Sequence, residues 1–188
     1  MNNNRETSDP HPMLQAATRV HRREHGCGAY TFEDGGGLAA ISRTFQPARI
    51  LELGTALGYT ACCLASGAPG ALVDTIEGDP EHVDIARRNI AHANLSDRIT
   101  VHLGDFARVL PTLGGTYDLA FFDGFAPTLE LLRSLTALLP AGGVFVCANL
   151  DLASPQDSRR MKSLFADVSA WRLHASLEGG GTTAWVKH

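Results

Sequence analysis

The sequence predicts an α/β fold in which a doubly wound, mostly parallel sheet is closed by a C-terminal antiparallel hairpin. Short runs of branched apolar residues, such as 50–53, alternate along the chain with stretches whose apolar residues recur at helical spacing. That alternation is typical of strand–helix–strand units and a parallel sheet. Near the end, residues 171–176 and 182–187 alternate like strands and are joined by the glycine-rich segment 177–181, which predicts the hairpin.

The N-terminal elements are helical. Residues 1–12 are polar, with prolines at positions 10 and 12, and we expect them to be partly disordered. A short helix is predicted over 13–25. A second helix carries Leu38, Ile41 and Phe45, and either Glu33 or Asp34 is placed to cap its first turn.

The stretch Arg49 to Ala65, RILELGTALGYTACCLA, organises the rest of the chain. It predicts a strand buried on both faces, a tight glycine loop and a helix. Glycine at positions 54 and 58 allows positive φ and a close approach of the backbone to a ligand, while the first N–H groups of the helix offer donors. We therefore predict a small-molecule site at this loop.

The remaining elements follow in alternation. Asp79 and Pro80 are a cap and a first helical residue, and they follow a strand that ends in Glu77. Ligands of open α/β sheets lie beyond the carboxyl ends of the strands, so Asp123, at the end of a fourth strand, is a site candidate. The later strands are predicted at 71–77, 99–103, 117–125 and 144–150, and the later helices at 83–93, 107–113, 129–138 and 154–166.

The spacing of the loop glycines indicates the class of ligand. A dinucleotide fingerprint is G-x-G-x-x-G, whereas this chain has G-x-x-x-G with Ala56 in the middle, Glu52 before it and Glu77 about twenty residues later. These residues resemble the first motif of class I S-adenosylmethionine (SAM)-dependent methyltransferases. The sequence ELGTALGYT is most similar to that of the catechol O-methyltransferase-like O-methyltransferases. The resemblance implies a Rossmann-like sheet of seven strands, with a methyltransferase domain over 30–188 and an N-terminal segment over 1–29.

The resemblance also implies a cofactor site. A carboxylate at Glu77 can accept hydrogen bonds from two vicinal ribose hydroxyls. Asp105 and Phe106 match the place where the family contacts adenine, and Asp105 is also placed to cap the following helix, a role compatible with the first. The segment 30–36 is expected to contribute to a lid over the cofactor. The residues expected to bind SAM are Glu52, Gly54, Thr55, Ala56, Gly58, Thr60, Glu77, Gly78, Asp105, Phe106 and Asp123.

The family's metal site is incomplete in this sequence. Catechol O-methyltransferase-like enzymes hold a divalent metal with an acid after the fourth strand and an Asp-Asn pair after the fifth, and a lysine three residues beyond the first acid acts as base. Asp123 and Asn149 match and are the candidate metal ligands, but Ala148 and Ala126 replace the second acid and the lysine. Losing a carboxylate weakens a hard-cation site, so we expect methyl transfer to persist in excess EDTA.

Asp123 is the catalytic candidate. Its open roles are general base, residual metal ligand and hydrogen-bond acceptor for the substrate. His25 and His102 compete with it as base, and an ordinary structural role is the alternative for each. Three further histidines read as surface or packing residues: His82, His92 and His174.

Three functions remain open from the sequence alone. They are an active O-methyltransferase on a small hydroxylated acceptor, a degenerate member that binds SAM without transfer, and an NAD-dependent oxidoreductase, which the glycine spacing disfavours. Sixteen Lys and Arg against 20 Asp and Glu give a formal charge of -4, which argues against nucleic acid as a partner. No run of about 18 apolar residues occurs, so we expect a soluble, cytoplasmic protein without a membrane partner. The sequence leaves open whether the chain forms a homodimer.

Overall fold

The computed structural model describes residues 8–27 and 31–188. The predicted disorder of residues 1–7 and the place of Tyr30 in the expected lid lie outside that range. The described chain forms one seven-stranded sheet in the order β3-β2-β1-β4-β5-β7-β6. The strands are β1 Arg49–Leu53, β2 Leu72–Glu77, β3 Ile99–Leu103, β4 Leu119–Phe122, β5 Val144–Cys147, β6 Trp171–Leu177 and β7 Thr182–Lys187.

The pairing confirms the predicted fold class. The first five strands are parallel, β7 runs antiparallel to β5, and β6 completes the hairpin against β7. The strand order reverses between β1 and β4, which are direct neighbours. A crevice at the carboxyl ends of these two strands is the expected ligand position in such a sheet.

Helices cover both faces of the sheet. They are α1 Pro12–His25, α2 Gly35–Phe45, α3 Tyr59–Gly67, α4 Pro80–His92, α5 Phe106–Val109, α6 Leu129–Ala137 and α7 Pro155–Phe165. Buried side chains of α2, α3 and α4 pack on one face, and those of α6 and α7 pack on the other. The Asp34 side chain accepts from Gly37 N and the Asp79 side chain from Glu81 N, so both predicted caps are confirmed.

Three predicted elements are shorter in the structure. β4 ends at Phe122, and β5 ends at Cys147 because Asn149, with φ of 60°, turns the chain into a 3₁₀ turn. The helix predicted over 107–113 begins one residue earlier at Phe106 and becomes a 3₁₀ turn at Leu110–Thr112, where Pro111 has no N–H to continue an α-helix. Among the helices of the described ranges, none is both long and apolar enough to cross a membrane.

Candidate functional site

The loop between β1 and α3 lies against the end of β4. Gly54 has φ of 101°, and a Cβ there would lie 2.6 Å from the backbone oxygen of Asp123. The N–H of Gly54 donates to the Ile76 carbonyl at 3.1 Å, which fixes the loop to the end of β2. Gly58, with φ of 86°, then opens α3. Glycine at 54 is therefore required by both the backbone angle and the contact.

Glu77 is oriented by the backbone. One carboxylate oxygen accepts from Ala56 N at 2.8 Å, and the other accepts from Asp79 N at 3.0 Å. The acid at the end of β2 and the glycine loop after β1 are thereby tied together. Each carboxylate oxygen retains a free lone pair for a further donor, so the group is placed to accept from two neighbouring hydroxyls.

Glu52 lies beneath the loop and is completely buried. Its Oε2 accepts from the Thr75 hydroxyl at 2.5 Å, and that hydroxyl is 2.6 Å from Thr55 Oγ1. Burial raises the pKa of Glu52 to about 7, and the hydroxyls of Thr60 and Thr75 oppose that rise. Its Oε1 has no hydrogen-bond partner among the described residues. Glu52 thus supports the loop from below.

Asp123 and Asn149 meet at the ends of β4 and β5. Asn149 Nδ2 donates to Asp123 Oδ1 at 3.3 Å and to the Gly124 carbonyl at 2.9 Å. Lost hydration raises the pKa of Asp123 well above its ordinary value, and the negative charges of Glu52 and Glu178 add to that rise. The Asp123 side chain is partly exposed and borders the cleft.

Glu178, in the turn between β6 and β7, is a site residue that the sequence did not predict. Its Oε1 accepts from Glu33 N at 2.8 Å, and its Oε2 accepts from the Thr182 hydroxyl at 2.8 Å. Glu178 has a positive φ of 50°, and its negative charge adds to the rise in the pKa of Asp123. The sequence feature that could have indicated Glu178 is its position as the one acid in the glycine-rich segment 177–181.

These groups share one cleft of about 730 Å³ at the carboxyl ends of the strands. The predicted residues on its wall are Gly54, Ala56, Glu77, Phe106, Asp123 and Asn149, and the unpredicted ones include Arg22, His82, Phe125, Leu152 and Glu178. Phe125 is 82% exposed and Leu152 is 50% exposed, so the cleft has an apolar rim beside its acids.

Other predicted residues lie behind or beside the cleft. The Asp105 side chain accepts from Ala107 N at 2.8 Å and caps α5, which is the alternative role considered for it. It lines a neighbouring depression together with Phe106. The predicted site residues that do not border the main cleft are Glu52, Thr55, Gly58, Thr60, Gly78 and Asp105.

Neither histidine proposed as a competing base lines the cleft. His102 Nε2, in β3, is 2.8 Å from Asp74 Oδ1, in β2. His25 contacts Glu81 at 3.1 Å near the end of α1. His82, expected at the surface or in packing, is only 6% exposed and borders the cleft beside Glu77.

The donor set does not fit the family's divalent metal. Ala148 is 1% exposed and offers no ligand atom where a second carboxylate would lie. The Gly124 carbonyl can only accept, so the Asn149 amide must turn its nitrogen, not its oxygen, towards Asp123. With the pKa of Asp123 raised, one carboxyl group and one amide nitrogen remain where a hard cation needs several oxygen ligands.

The sheet order, the glycine loop and the acid after β2 define a class I methyltransferase fold. In agreement, a family model described as a methyltransferase domain matches residues 51–150, more than half of the chain. The chain belongs to this methyltransferase family, which confirms the family resemblance seen in the sequence.

Individual relatives agree with that assignment. A catechol O-methyltransferase of Mycobacterium tuberculosis is 39% identical over 97 residues, which are 50% of this chain and 44% of the relative. A Mycobacterium sp. protein, assigned to the O-methyltransferases by name without an established reaction, is 31% identical over 176 residues, 92% of this chain and 79% of its own. The chain spans less than half the length of the Mycobacterium tuberculosis and Bos taurus catechol O-methyltransferases that it matches.

Solved structures show the same architecture. The O-methyltransferase TomG from Streptomyces achromogenes, solved with SAM, superposes with a TM-score of 0.79 at 25% identity, covering 93% of this chain and 89% of that one. The O-methyltransferase from Bacillus cereus, solved with S-adenosylhomocysteine (SAH), gives a TM-score of 0.77 at 25% identity, with 93% and 91% covered.

Proposed function

We propose that this chain is a SAM-dependent methyltransferase that acts on a hydroxyl oxygen of a small acceptor, with residues 30–188 as its catalytic domain. The observation that carries the proposal is one cleft in which a backbone-oriented acid, Glu77, faces the glycine loop and Asp123. The family membership and the SAM and SAH complexes of the structural relatives support it.

Cofactor binding is assigned to the β1, β2 and β3 side of the cleft. Glu77 accepts from the two ribose hydroxyls, and the backbone of Gly54 to Gly58 contacts the amino-acid end of the cofactor. Phe106, which packs edge-on against Phe122 at 6.4 Å between ring centroids, offers an apolar contact to the adenine. Ala56 takes the place of the middle glycine that a dinucleotide fingerprint needs to bring the backbone to a pyrophosphate, which favours SAM over NAD.

Catalysis is assigned to the β4 and β5 side. SAM supplies an activated sulfonium methyl group, so the protein has to align the acceptor oxygen and remove its proton. Alignment alone can contribute roughly 7–11 kcal/mol in the best cases. Asp123, with its raised pKa, is a stronger base than an ordinary carboxylate once ionised, and it takes the acceptor proton.

The walls of the cleft suggest the acceptor class. Asp123 and Glu178 offer acceptor oxygens for hydroxyl donors, while Phe125 and Leu152 form an apolar rim. This combination suits a small, planar molecule that carries hydroxyl groups, such as a catechol. The family metal is left out, because the donor set does not fit it.

A transfer assay tests the proposal. The chain is incubated with SAM and a panel of catechols and other phenols, and SAH and methylated product are followed by mass spectrometry. Asp123→Asn should lower kcat by about 10²–10⁴-fold and change SAH affinity far less, because an amide still forms hydrogen bonds but cannot take the acceptor proton. The exposed Asp97→Asn is the matched control. SAH binding without turnover of any acceptor would instead support a member that binds SAM without transfer.

A further inference from the structure

A second group of ligand side chains lies between the end of α1 and the start of α4, beside the Glu77 end of the cleft. It comprises His21, His25, Cys27 and His82, called here the His–Cys cluster. One ring nitrogen of each histidine and the Cys27 sulfur all lie within 4.8 Å of one another. The three imidazole rings are 4.7, 5.2 and 5.6 Å apart between centroids. Residues four apart on α1 and one residue of α4 thus converge on one point.

Two nitrogens of the cluster are buried without partners. His21 Nε2 and His82 Nε2 are shielded from solvent and have no hydrogen bond to any described residue. Buried polar atoms are nearly always satisfied, so an unpaired pair facing one point needs an explanation. A bound cation would accept both lone pairs.

Carboxylates lie behind two of the histidines. Glu81 Oε2 is 3.1 Å from His25 Nε2, and Glu77 Oε1 is 3.9 Å from His82 Nδ1. Metal-bound histidines commonly direct their second ring nitrogen to a carboxylate, which fixes the tautomer and strengthens the ligand. His82 then has Nε2 free for a metal, and His25 has Nδ1.

We propose that His21, His25, Cys27 and His82 bind one Zn²⁺ ion as a structural centre that ties the end of α1 to the start of α4. Three imidazole nitrogens and one thiolate are a zinc donor set, and four protein ligands close the site to substrate. Magnesium and calcium prefer oxygen ligands and do not compete here. Binding takes up one Zn²⁺ and releases the thiol proton of Cys27.

The geometry requires little adjustment. Tetrahedral zinc, with bonds of about 2.0–2.1 Å to nitrogen and about 2.3 Å to sulfur, holds its ligand atoms about 3.3–3.7 Å apart. The atoms of the cluster span at most 4.8 Å, so each moves inward by less than about 1 Å through side-chain rotation. His25 and Cys27 lie near the surface, which gives the ion an entry path.

The test uses the chain without a histidine tag, stripped of metal and kept reduced. Zinc is titrated in competition with a chromophoric chelator, and cobalt(II) is then added to a separate sample. We expect one zinc per chain, intense visible absorption from tetrahedral cobalt, and a near-ultraviolet thiolate-to-cobalt band. A weak octahedral cobalt spectrum without the thiolate band would overturn the proposal.

Variants separate ligands from bystanders. His21→Ala and His82→Asn should each weaken zinc binding at least about 100-fold, since even residues behind the ligands contribute about 10–100-fold. Cys27→Ser should remove the near-ultraviolet band. His92→Ala, an exposed histidine of the same helix as His82, should change nothing. Because His82 is buried, the surface-side His21→Ala keeps the test valid if His82→Asn misfolds. Zinc affinity unchanged in His21→Ala and Cys27→Ser would refute the site, whatever the transferase assay shows.

Discussion

The two sides of the cleft are built in different ways. On the proposed cofactor side, the Glu77 carboxylate accepts from two backbone N–H groups, which fix its orientation. On the proposed acceptor side, Asp123 lies near Glu52 and Glu178, whose negative charges add to the rise in its pKa, and the Asn149 amide opposes that rise. Backbone donors orient one side in advance. On the other side the carboxyl groups repel one another, and a proton or an incoming hydroxyl donor would reduce that repulsion. The contrast matches a fixed cofactor site beside a site where a proton moves.

Breaking the contact that joins the two sides should have the largest effect. Gly54→Ala places a methyl group 2.6 Å from the Asp123 carbonyl at a φ of 101° that alanine rarely adopts. We expect it to lower the free energy of unfolding by about 3 kcal/mol or more and to remove SAH binding. Urea denaturation and calorimetry measure both. Gly70→Ala, which has nothing within 4 Å of its added methyl, is the control and should stay within about 0.5 kcal/mol of wild type.

The buried acid beneath the loop should make stability depend on pH. The folded pKa of Glu52, about 7, exceeds its ordinary value of 4.5, so its favourable contribution is complete below 4.5 and is lost as the pH rises through 7. Relative to wild type, Glu52→Gln should gain up to about 3 kcal/mol between these limits, at about 1.4 kcal/mol for each pH unit.

Denaturation series at several pH values follow that difference. Glu130→Gln, an exposed acid at the start of α6, serves as the control and should show no such trend. A Glu52→Gln difference that stays constant from pH 4.5 to 8 would mean that Glu52 ionises normally in the folded chain.

Removing the oriented carboxylate should weaken the cofactor side alone. Glu77→Ala should cost about 1.5–3 kcal/mol of SAH affinity, the range for hydrogen bonds to a charged group. Calorimetric titration measures the loss, with Glu130→Ala as the exposed control. If the dissociation constant does not change, Glu77 serves only to hold Ala56 and Asp79.

The meeting of the glycine loop with Glu77 could be predicted from the sequence because its parts are local. Gly54, Gly58 and Glu77 belong to consecutive elements, and the parallel pairing of β1 with β2 brings them together. Glu178 could not be predicted in this way. It reaches the cleft only through the β6–β7 turn and its contact with Glu33, which are set by the packed sheet.

The sequence also could not predict which partner each of these side chains contacts. Asp105 is exposed and caps α5, and the sequence offered that role and the adenine contact equally. The convergence of α1 with the start of α4 could not be predicted because the residues that meet are distant in the chain: His25 contacts Glu81 across 56 residues. Only the folded packing of α1 shows which histidines meet.

The smallest expected effect is that of magnesium. Because Ala148 supplies no carboxylate, methyl transfer by the wild type should persist in excess EDTA, and Mg²⁺ should not raise its melting temperature. Ala148→Asp should be destabilised, and Mg²⁺ at about 10–100 times its Kd should return roughly 1–3 kcal/mol.

EDTA would also strip zinc from the His–Cys cluster, so chelated enzyme should receive either Mg²⁺ alone or Zn²⁺ alone. Activity lost to EDTA and restored by Mg²⁺ alone would show that Asp123 and Asn149 suffice as metal ligands, contrary to our expectation.

The most direct test of the proposed cofactor is calorimetric titration of the chain with SAH and, separately, with NAD. A nucleoside acid at Glu77 and a G-x-x-x-G loop without a middle glycine should bind SAH at one site per chain, and SAH should raise the melting temperature as mass action requires. NAD should give neither heat nor a thermal shift. Binding of NAD, with no response to SAH or SAM, would contradict the account.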